Sequence, residues 1–322
     1  MEFKSKDFSD AKRVLKLRKL SVGLTGRPDA DPVLNEIDLN IRAGETHCLV
    51  GESGSGKSVT SLAVMGLLPK DALEIQGGLI ELEGAEITNA KPAQMRELRA
   101  RRIAMIFQEP MTALNPVLRV GEQIEEVLNM HTDMSRAEAK KRTIDMMEQV
   151  HLPDVERIYS AFPHQLSGGQ RQRIMIAMAL ILDPDLLIAD EPTTALDVTT
   201  QLQILKLISE MQERHGTAVL FITHDMGVVA EIADTVSVMQ KGRIVERAPI
   251  RDLLTNPKEE YTRTLLAAVP NLAPRPARAA AGAGDVIKVE GLEMTYGGTG
   301  FFRKSAGVKA AQDVNFSIAP GR

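Results

Sequence analysis

A glycine-rich segment ending in a lysine and a serine carries the clearest chemistry in this sequence. The spacing Gly51-x4-Gly56-Lys57-Ser58 follows the apolar run 46–50 and precedes a predicted helix, the context typical of a phosphate-binding loop. Glycines let successive backbone N–H groups turn inward on phosphates, and the helix N-terminus adds a favourable dipole. Lys57 is expected to reach the β- and γ-phosphates and Ser58 to hold Mg²⁺; the alternative is a glycine-rich turn. The predicted nucleotide ligands here are Gly51, Ser53, Gly54, Ser55, Gly56, Lys57, Ser58 and Thr60.

Two acids at the end of an apolar strand form a second candidate site. Asp190 and Glu191 follow the run 186–189, so their carboxylates emerge at the carboxyl edge of a sheet, where such folds bind ligands. Asp190 is expected to support Mg²⁺ through water. Glu191 is expected to orient or deprotonate a water that attacks the γ-phosphate, and general-base roles contribute about 10²–10⁴-fold. A helix cap or a solvated turn is the alternative, and the phosphate loop upstream favours the catalytic interpretation.

A serine, two glycines and a glutamine form a third motif at 167–170. Ser167 is the predicted N-cap of a helix over 168–182, and Gln170 completes a capping box. Two glycines directly inside a helix lower its stability. A segment that only capped the helix would therefore not favour Gly168 and Gly169. Glycines at these positions permit close approach of a phosphate to the backbone.

The elements that position these motifs alternate between strands and helices. Strands are predicted at 14–22, in a second pair that ends at residue 41, and at 46–50, 103–107, 186–190 and 218–223. Helices are predicted at 57–68, 92–102, 168–182 and 199–214. This alternation predicts an α/β fold with a parallel sheet flanked by helices. The charged segment 120–160 has a helical pattern, which predicts a separate helical subdomain.

The three motifs, in this order, resemble the ATPase subunit of ABC transporters. The resemblance covers about residues 14–270 and implies a P-loop NTPase of the ABC type, which binds ATP and Mg²⁺ and hydrolyses the ATP. Such a protein has a RecA-like parallel-sheet core, an antiparallel β subdomain and a helical subdomain, here at about 109–180. The resemblance also implies that the signature segment 167–170 binds the γ-phosphate held by an opposite unit. Hydrolysis would then need two units arranged head to tail.

The same resemblance assigns roles to residues that, alone, would be considered structural. Gln108 matches the Q-loop, a ligand to Mg²⁺ or to the attacking water, and His224 matches the switch histidine that contacts the γ-phosphate. Asp197 belongs to the D-loop at 195–197, which crosses the dimer interface. The predicted catalytic residues are thus Glu191, His224 and Gln108, the predicted metal ligands are Ser58, Gln108 and Asp190, and the remaining nucleotide contacts are Ser167, Gly168, Gly169, Gln170 and Asp197.

The C-terminal part of the sequence repeats its beginning. Residues 286–289 resemble 14–17, and residues 311–318 resemble 34–41. We expect a chain cut from a longer tandem protein. Its expected parts are a flexible tail (1–13), an ABC ATPase domain (14–255), a C-terminal importer-branch element (256–270), an Ala-, Pro- and Gly-rich linker (271–284) and the truncated start of a second ABC domain (285–322).

One position departs from the family's pattern. The family usually places an aromatic residue on an early strand, where it stacks on adenine. Alignment of the two repeats puts Leu24 there in the first copy and Tyr296 in the second. Stacking of a base on an aromatic ring contributes about 1–3 kcal/mol. We therefore expect weaker ATP binding at the first site, or a substitute stacking residue.

Further segments narrow the family. Residues 107–116 and 261–270 resemble the branch that imports dipeptides, oligopeptides and nickel. A two-unit chain with the segment 223–230 is most similar to the tandem-domain ATP-binding proteins of glutathione import. The implied partners are two integral-membrane permease subunits, a periplasmic substrate-binding protein indirectly, and a second ABC unit from the full-length chain or from a homodimer. The implied location is the cytoplasmic face of the inner membrane, as a peripheral subunit.

The cargo stays open here, because cargo contacts lie on other chains. Peptide or glutathione is favoured over nickel or opines by resemblance alone. Soluble tandem ABC proteins that act on ribosomes are a less favoured alternative, since they usually join their units by a long charged helical arm and this linker is short. DNA-repair relatives carry large coiled-coil or zinc insertions, which this sequence lacks.

Composition limits the other classes of function. The net charge of −4 over 322 residues argues against nucleic acid as a partner. The single cysteine, Cys48, leaves no intrachain disulfide and fits a reducing compartment. The longest apolar run, 174–182, is shorter than the ~20 residues that span a bilayer, and the N-terminus lacks the apolar core of a signal peptide. The basic start, residues 1–19, is either a solvated tail or a contact with a membrane surface.

Overall fold

A computed structural model describes residues 8–27, 29–107, 113–194, 196–269, 284–296 and 308–320. The chain divides into two units, Met1–Val269 and Pro270–Arg322, each described here by itself. Gln108, Ala195 and most of the predicted linker lie outside the described residues. Within the described residues, every helix is too short or too polar to cross a membrane.

Strands and helices alternate over much of the first unit. Its strands in the described residues are β1 (Arg13–Leu24), β2 (Leu34–Arg42), β3 (Thr46–Val50), β4 (Leu73–Leu82), β5 (Ala85–Glu86), β6 (Ile103–Ile106), β7 (Leu186–Asp190), β8 (Ala218–Thr223), β9 (Thr235–Gln240) and β10 (Arg243–Pro249). Its α-helices there are α1 (Lys57–Val64), α2 (Pro92–Leu98), α3 (Val120–His131), α4 (Arg136–Gln149), α5 (Val155–Tyr159), α6 (Gly168–Leu180), α7 (Val198–His215), α8 (Met226–Ile232), α9 (Ile250–Thr255) and α10 (Glu260–Ala267).

The central sheet of the described part has the strand order β10-β9-β3-β8-β7-β6. Neighbouring strands are parallel except β9 and β10. Every residue of β3, β7 and β8 is buried, as expected of parallel strands covered on both faces. Along β3, Cys48 and Val50 pack into one apolar core and Leu49 into the other. The strands predicted at 46–50, 186–190 and 218–223 are confirmed with the same bounds.

A second, antiparallel sheet has the order β2-β1-β4-β5. Leu15, Leu17 and Leu20 of β1 are fully buried and share a core with Val64 of α1 and with Leu49 of the central sheet. This sheet therefore covers the same face of the central sheet as α1. The predicted α/β class, with a parallel core and an antiparallel β subdomain, is confirmed.

The charged segment predicted to be helical forms α3, α4 and α5. Ser135 begins α4 with a capping box, because its side chain accepts the N–H of Glu138 and the Glu138 side chain returns to the Ser135 backbone. Apolar side chains of α3, α4 and α6 share the core on the opposite face of the central sheet from α1. These helices follow β6 and precede β7, so they are inserted between two neighbouring strands.

Helix α1 ends earlier than the sequence pattern predicts. The prediction continues to residue 68, but the last helical residue is Val64. Gly66 is left-handed, with φ +62°, and donates its N–H to the carbonyl of Ala63 at 3.0 Å. The N–H of the next residue donates to the carbonyl five positions back at 2.8 Å. These two bonds form a Schellman cap, and glycine is the residue it favours.

In its described residues, the second unit contains an antiparallel hairpin of β11 (Ile287–Tyr296) and β12 (Val308–Ile318). Its pairing register repeats that of β1 and β2. The equivalent pairs are Leu15↔Ile41 and Ile287↔Ile318, Leu17↔Leu39 and Val289↔Phe316, Leu20↔Ile37 and Leu292↔Val314, and Val22↔Leu34 and Met294↔Ala311. The hairpin therefore reproduces the start of the first unit in backbone pairing as well as in sequence.

The two hairpins also share their left-handed residues. Lys19 and Gly291 occupy equivalent positions with φ of 47° and 57°, and Glu36 and Asp313 do so with φ of 48° and 45°. In both hairpins, the N–H of the first of these residues donates to a side-chain oxygen on the partner strand. The internal repeat thus extends to irregular details of the backbone.

Candidate active site

The phosphate loop joins β3 to α1, and two of its glycines are required by close packing. Gly56 has φ +106°, and a Cβ atom there would lie 2.7 Å from Leu34 and 2.9 Å from Met239. A Cβ atom on Gly51 would lie 2.2 Å from the carbonyl oxygen of Met239. The loop thus approaches β2 and β9 more closely than a residue with a side chain allows.

The loop presents polar groups to solvent along one side. Glu52, Ser53, Gly54 and Ser58 are exposed, whereas Ser55 is buried. The hydroxyl oxygen of Ser55 is buried and has no hydrogen-bond partner within the described residues. A buried hydroxyl without a partner, beside a turn of backbone N–H groups, fits a polar ligand such as a phosphate.

Lys57 lies across its own loop at the start of α1. Its Nζ donates to the carbonyl oxygens of Gly51 and Glu52, both at 2.8 Å. Burial lowers the pKa of Lys57 from its ordinary value, while the carboxylates of Glu191 and Asp190 act in the opposite direction. The structure therefore brings the predicted phosphate-binding cation close to both predicted acids.

Asp190 ends β7 and faces two hydroxyl groups of α1. Ser58 Oγ donates to Oδ1 of Asp190 at 3.3 Å, and Ser61 Oγ donates to Oδ2 at 3.4 Å. Burial raises the pKa of Asp190, with a further contribution from the charge of Glu191, against the two hydrogen bonds. A hydroxyl and a carboxylate are the hard oxygen donors that Mg²⁺ prefers.

The metal-binding capacity of this site is limited to a few protein ligands. Within the described residues, no group of three or more His, Cys, Asp or Glu side chains could hold a metal ion. Mg²⁺ usually takes one or two carboxylates together with waters and substrate phosphates. Ser58 and Asp190 fit that pattern, in which the nucleotide supplies the remaining oxygens.

Glu191 and His224 meet at the ends of two neighbouring strands. Nδ1 of His224, after β8, lies 2.9 Å from Oε1 of Glu191, after β7. Thr194 Oγ1 donates to Oε2 of Glu191 at 3.1 Å. Glu191 is left-handed, with φ 48°, and donates its N–H to the carbonyl of Ile222 in β8. The structure therefore joins the predicted water-activating acid and the predicted switch histidine directly.

The signature segment forms the predicted helix start. Ser167 caps α6 by accepting the N–H of Gln170 at 3.3 Å, and Oε1 of Gln170 accepts the N–H of Ser167 at 3.0 Å. A Cβ atom on Gly168 would meet only Leu196, at 3.8 Å. The first turn of α6 at Gly168 is therefore open enough for a ligand to approach the backbone.

A second glycine of this segment packs against the next long helix. A Cβ atom on Gly169 would lie 2.8 Å from the methyl group of Thr200 in α7. Asp197 caps α7: it accepts the N–H of Thr200 at 3.0 Å and the Thr200 hydroxyl at 2.7 Å. These hydrogen bonds lower the pKa of Asp197. Gly169 and Asp197 therefore both fix the position of Thr200, which links the signature segment to the D-loop.

Comparison with known proteins identifies the arrangement. A family model described as ABC transporter matches residues 34–194, which is half of the chain and includes the phosphate loop, the signature segment and Glu191. The chain belongs to the ABC transporter family. It is an ATPase of that family.

Curated relatives include proteins named for peptide and glutathione transport. The chain is 49% identical over 258 residues to the probable peptide ABC transporter ATP-binding protein y4tR of Sinorhizobium fredii, covering 80% of this chain and 77% of that protein. It is 46% identical over 262 residues to the oligopeptide transport ATP-binding protein OppD of Lactococcus lactis, covering 81% and 77%. It is 49% identical over 276 residues to the glutathione import ATP-binding protein GsiA of Escherichia coli, covering 83% of this chain but 44% of that protein.

Solved structures of ABC cassettes share the fold. One is a dimeric post-hydrolysis state of the cassette MJ0796 bound to ADP and phosphate, 28% identical with a TM-score of 0.64 over 74% of this chain and 99% of that one. Another is cbiO1 of Clostridium perfringens, 27% identical with a TM-score of 0.66 over 76% and 92%. These similarities confirm the ABC-type fold of the ATPase.

One predicted ligand of the ABC ATPase, Thr60, has its hydroxyl bonded to the backbone of the loop. Thr60 is fully buried, and its hydroxyl donates to the carbonyl of Gly56 at 3.1 Å. Thr60 therefore stabilises the turn from the loop into α1. Gln108, predicted as both a catalytic residue and a metal ligand, lies outside the described residues.

The fold brings to the site three side chains that the sequence motifs did not indicate. Ser61 bonds to Asp190 and Thr194 bonds to Glu191, and each lies three residues from a motif residue that was identified. Tyr261 of α10 contacts the phosphate loop at Glu52 from 209 residues away in the sequence. Helical and turn spacing could have suggested the first two, but no local pattern indicates the third.

Leu24 stands at the end of β1, where the adenine-stacking residue of an ABC ATPase is expected. It pairs with Leu73 of β4, and its side chain is partly exposed, at 36%. Tyr296 stands at the equivalent end of β11 in the second unit. At the first site, an aliphatic side chain thus stands at an exposed strand end where the family usually has an aromatic one. This leucine is not part of an apolar core.

Proposed function

We propose that this ABC ATPase powers the uptake of peptides or glutathione through partner permease subunits. The observation that carries the proposal is its identity of 46–49% to ATP-binding proteins named for peptide, oligopeptide and glutathione transport. Each match extends over about four-fifths of this chain. It therefore extends well beyond the nucleotide-binding motifs that all ABC ATPases share.

Within the site, Glu191 is assigned the role of orienting or deprotonating the attacking water. Its carboxylate is 14% exposed and is held by His224 on one oxygen and Thr194 on the other. Because an ionised carboxylate only accepts hydrogen bonds, Nδ1 of His224 carries the hydrogen in this pair. The other ring nitrogen is then left for a γ-phosphate oxygen or a water. Two fixed contacts on Glu191 pre-orient the base, which favours a general-base role.

Lys57, Ser58 and Asp190 are assigned to the phosphates and their Mg²⁺. When bound, Mg²⁺ supplies charge neutralisation and holds phosphate oxygens in a fixed orientation. Ser58 and Asp190 lie within 3.3 Å of each other, so both can serve the same ion. Lys57 is already placed over the loop by its bonds to two loop carbonyls. Gln108 is a further proposed ligand, on the basis of the sequence resemblance.

The signature segment is assigned to a nucleotide held by an opposite ABC unit. Its hydrogen bonds within the described residues are local to the start of α6, and none joins it to the phosphate loop. Ser167, Gly168, Gly169 and Gln170 are therefore available for another unit's γ-phosphate, with Asp197 at the interface. Val198 and Leu202, which follow Asp197 on α7, are exposed apolar side chains suited to burial there.

A second ABC domain of the same protein is the proposed source of that opposite unit. Residues 285–322 would be its beginning, because the described strands of this region repeat the pairing register, two register shifts and the two left-handed residues of the first hairpin. The side chains of Leu292, Met294 and Phe316 are exposed, although their equivalents in the first unit are buried. Further elements of an ABC domain would cover them. A homodimer is the alternative source of the opposite unit.

Two integral-membrane permeases are the proposed partners, whose conformational change ATP binding and hydrolysis would drive. The helical segment α3–α5 is proposed to receive a coupling helix from a permease together with the segment 109–116, of which residues 109–112 lie outside the described part of the chain. Next to that segment, Val117 and Leu118 are exposed at 75% and 37%. The ATPase would lie on the cytoplasmic face of the inner membrane, and a periplasmic binding protein would select the cargo. Binding of ATP favours the closed pair of ABC units, and hydrolysis reopens it.

Uptake of labelled substrates by cells tests this function. Cells lacking the protein are complemented with the full-length wild type, with Glu191→Gln or with Glu210→Gln, an acid that pairs with His151 on the surface. Loss of dipeptide or glutathione uptake with Glu191→Gln alone is the expected result. Loss of nickel uptake alone would support the nickel branch instead. Copurification with ribosomal proteins and without permeases would overturn the transport function and leave the ATPase assignment intact.

A further inference from the structure

The C-terminal helix of the first unit touches the phosphate loop through one hydroxyl group. Tyr261, in the first turn of α10, accepts the backbone N–H of Glu52 at 3.2 Å. The tyrosine ring is half-buried and packs against the core on the α3–α6 side of the central sheet. The nucleotide-binding loop is thus held partly by an element that follows the last strand of the central sheet.

The peptide group that Tyr261 contacts is also the one that Lys57 contacts. The N–H of Glu52 and the carbonyl of Gly51 belong to one peptide unit, which is planar. Tyr261 takes the N–H, and Nζ of Lys57 donates to the carbonyl at 2.8 Å. Because the N–H and the carbonyl lie in one plane and point in opposite directions, a hydrogen bond to the N–H fixes the direction of the carbonyl. Tyr261 therefore helps determine where the ammonium group of Lys57 rests.

The position of Tyr261 is itself fixed by the central sheet. Glu246 in β10 accepts the N–H of Lys258 at 2.8 Å and the N–H of Glu259 at 3.1 Å, just before α10 begins. Burial favours the protonated form of Glu246, but these hydrogen bonds outweigh it and hold the pKa below its ordinary value. Thr262, next to Tyr261, is fully buried. The helix start is thus anchored on both sides of the tyrosine.

The rest of the loop has its own anchor on the same edge of the sheet. The N–H of Gly242, in the turn between β9 and β10, donates to the carbonyl of Ser55 at 2.9 Å. This bond holds the second half of the loop, and no other side chain within the described residues bonds to the N–H of Glu52. In the first half of the loop, Lys57 and the N–H of Ser55 bond to carbonyl groups, and the N–H of Glu52 is held by Tyr261.

We propose that Tyr261 is a positioning residue of the ATP site, which fixes the peptide between Gly51 and Glu52 and thereby the carbonyl on which the ammonium group of Lys57 rests. The proposal rests on nucleotide binding by this loop and assigns to the C-terminal element 256–269 a part in it. The hydroxyl acts through the loop and through Lys57. It raises affinity for the nucleotide by removing alternative conformations of this peptide before binding, which is preorganisation.

Substitution of the hydroxyl alone tests the proposal. Tyr261→Phe is expected to raise the Kd for a non-hydrolysable ATP analogue, and the KM for ATP, about three- to tenfold, the usual effect of one hydrogen bond. The kcat is expected to stay within about twofold, because the bond is the same in the ground and transition states. Tyr159→Phe is the matched control, since its hydroxyl bonds to Glu125 in the helical segment.

Amide hydrogen exchange provides a readout without nucleotide. The amide of Glu52 is expected to exchange faster in Tyr261→Phe than in the wild type or in Tyr159→Phe, because it loses its acceptor. Unchanged exchange and unchanged Kd in Tyr261→Phe would overturn the proposal. So would a normal Kd in Tyr261→Phe combined with a weakened one in Tyr261→Leu, because the ring and not the hydroxyl would then matter. If the wild type itself fails to bind the analogue, the nucleotide-binding role of the loop is wrong, which is a separate failure.

Discussion

Oε1 of Glu191 lies 2.9 Å from Nδ1 of His224, at the ends of two adjacent parallel strands. A similar pair lies on the surface, where Oε2 of Glu210 in α7 is 3.1 Å from Nε2 of His151, which follows α4. The chemistry of the two pairs is alike, but the phosphate loop is adjacent only to the first. Comparison of the two pairs therefore separates catalytic from structural effects of losing a Glu–His contact.

Substitution of either residue in the first pair is expected to abolish most hydrolysis. Glu191→Gln and His224→Ala should each lower kcat by about 10²–10⁴-fold while ATP still binds. The double variant should lose little more than the worse single variant, since the two side chains act as a unit. Steady-state ATPase assays with an equilibrium Kd measure both quantities. Glu210→Gln and His151→Ala should leave kcat unchanged, and a normal rate in Glu191→Gln would show that another group activates the water.

Asp190→Asn is expected to stabilise the protein while abolishing Mg²⁺-dependent hydrolysis. Burial raises the pKa of Asp190, so its charged form is disfavoured in the folded state. Stability linked to this group is fully present below its unfolded pKa and is lost as the pH rises through the higher folded pKa. The Tm of Asp190→Asn should therefore exceed that of the wild type at neutral pH, and the difference should shrink toward about pH 4.

The control for this effect is an exposed aspartate. Asp71→Asn changes the same charge on the surface and should shift Tm little at any pH. Melting curves recorded by circular dichroism without nucleotide give the comparison. A Tm for Asp190→Asn that is below the wild type at neutral pH would show that the bonds from Ser58 and Ser61 outweigh the cost of burying the charge.

Leu24→Tyr is expected to tighten ATP binding. An aromatic ring at the exposed end of β1 can stack on adenine, and such stacking contributes about 1–3 kcal/mol, which is roughly a five- to 150-fold lower Kd. Titration calorimetry with an ATP analogue gives the value. Leu67→Tyr is the control, because Leu67 has nearly the same exposure, 37% against 36%, after the end of α1. An unchanged Kd for Leu24→Tyr would mean that adenine binds elsewhere.

Gly169→Ala is expected to destabilise the contact between the signature segment and α7. The added Cβ would lie 2.8 Å from the methyl group of Thr200, and such overpacking typically costs about 1–3 kcal/mol. Thr200→Ser removes that methyl group and keeps the hydroxyl that bonds to Asp197. The double variant should therefore recover the Tm lost in Gly169→Ala.

The ATPase rate of this double variant then distinguishes two roles of the glycine. Full recovery of both Tm and kcat would show that Gly169 is needed only for packing against Thr200. Recovery of Tm without kcat would show that a bare backbone is also needed for the phosphate of an opposite unit. Failure to recover Tm would mean that the Thr200 methyl group is not what the added Cβ meets.

Three of the parallel strands were predictable because they are mostly apolar. The runs at 46–50, 186–190 and 218–223 contain few polar residues and end abruptly, which fixes both bounds. Strands β4, β9 and β10 were not predicted, because polar residues are interspersed among their apolar residues. The early end of α1 depends on the left-handed Gly66, a local signal that the later Pro69 obscured.

The site could be predicted where one short segment supplies its chemistry. Lys57, Asp190 and Glu191 were identifiable because residue type, spacing and the preceding strand agree. The contact of Tyr261 with Glu52 was not, since it requires β10 and Glu246 to place a helix 209 residues downstream against the loop. Tertiary contacts of this kind leave no periodic pattern in the sequence.

The matching hairpins of the two units share an unfavourable backbone conformation. Lys19 and Gly291 differ in chemistry, and Glu36 and Asp313 differ in size. All four residues nevertheless have a left-handed backbone. A side chain in that conformation costs energy that glycine avoids. Both hairpins keep this conformation, and in each the N–H of Lys19 or Gly291 bonds to a side chain on the partner strand, so the strand pairing and not the identity of the residue sets the backbone here.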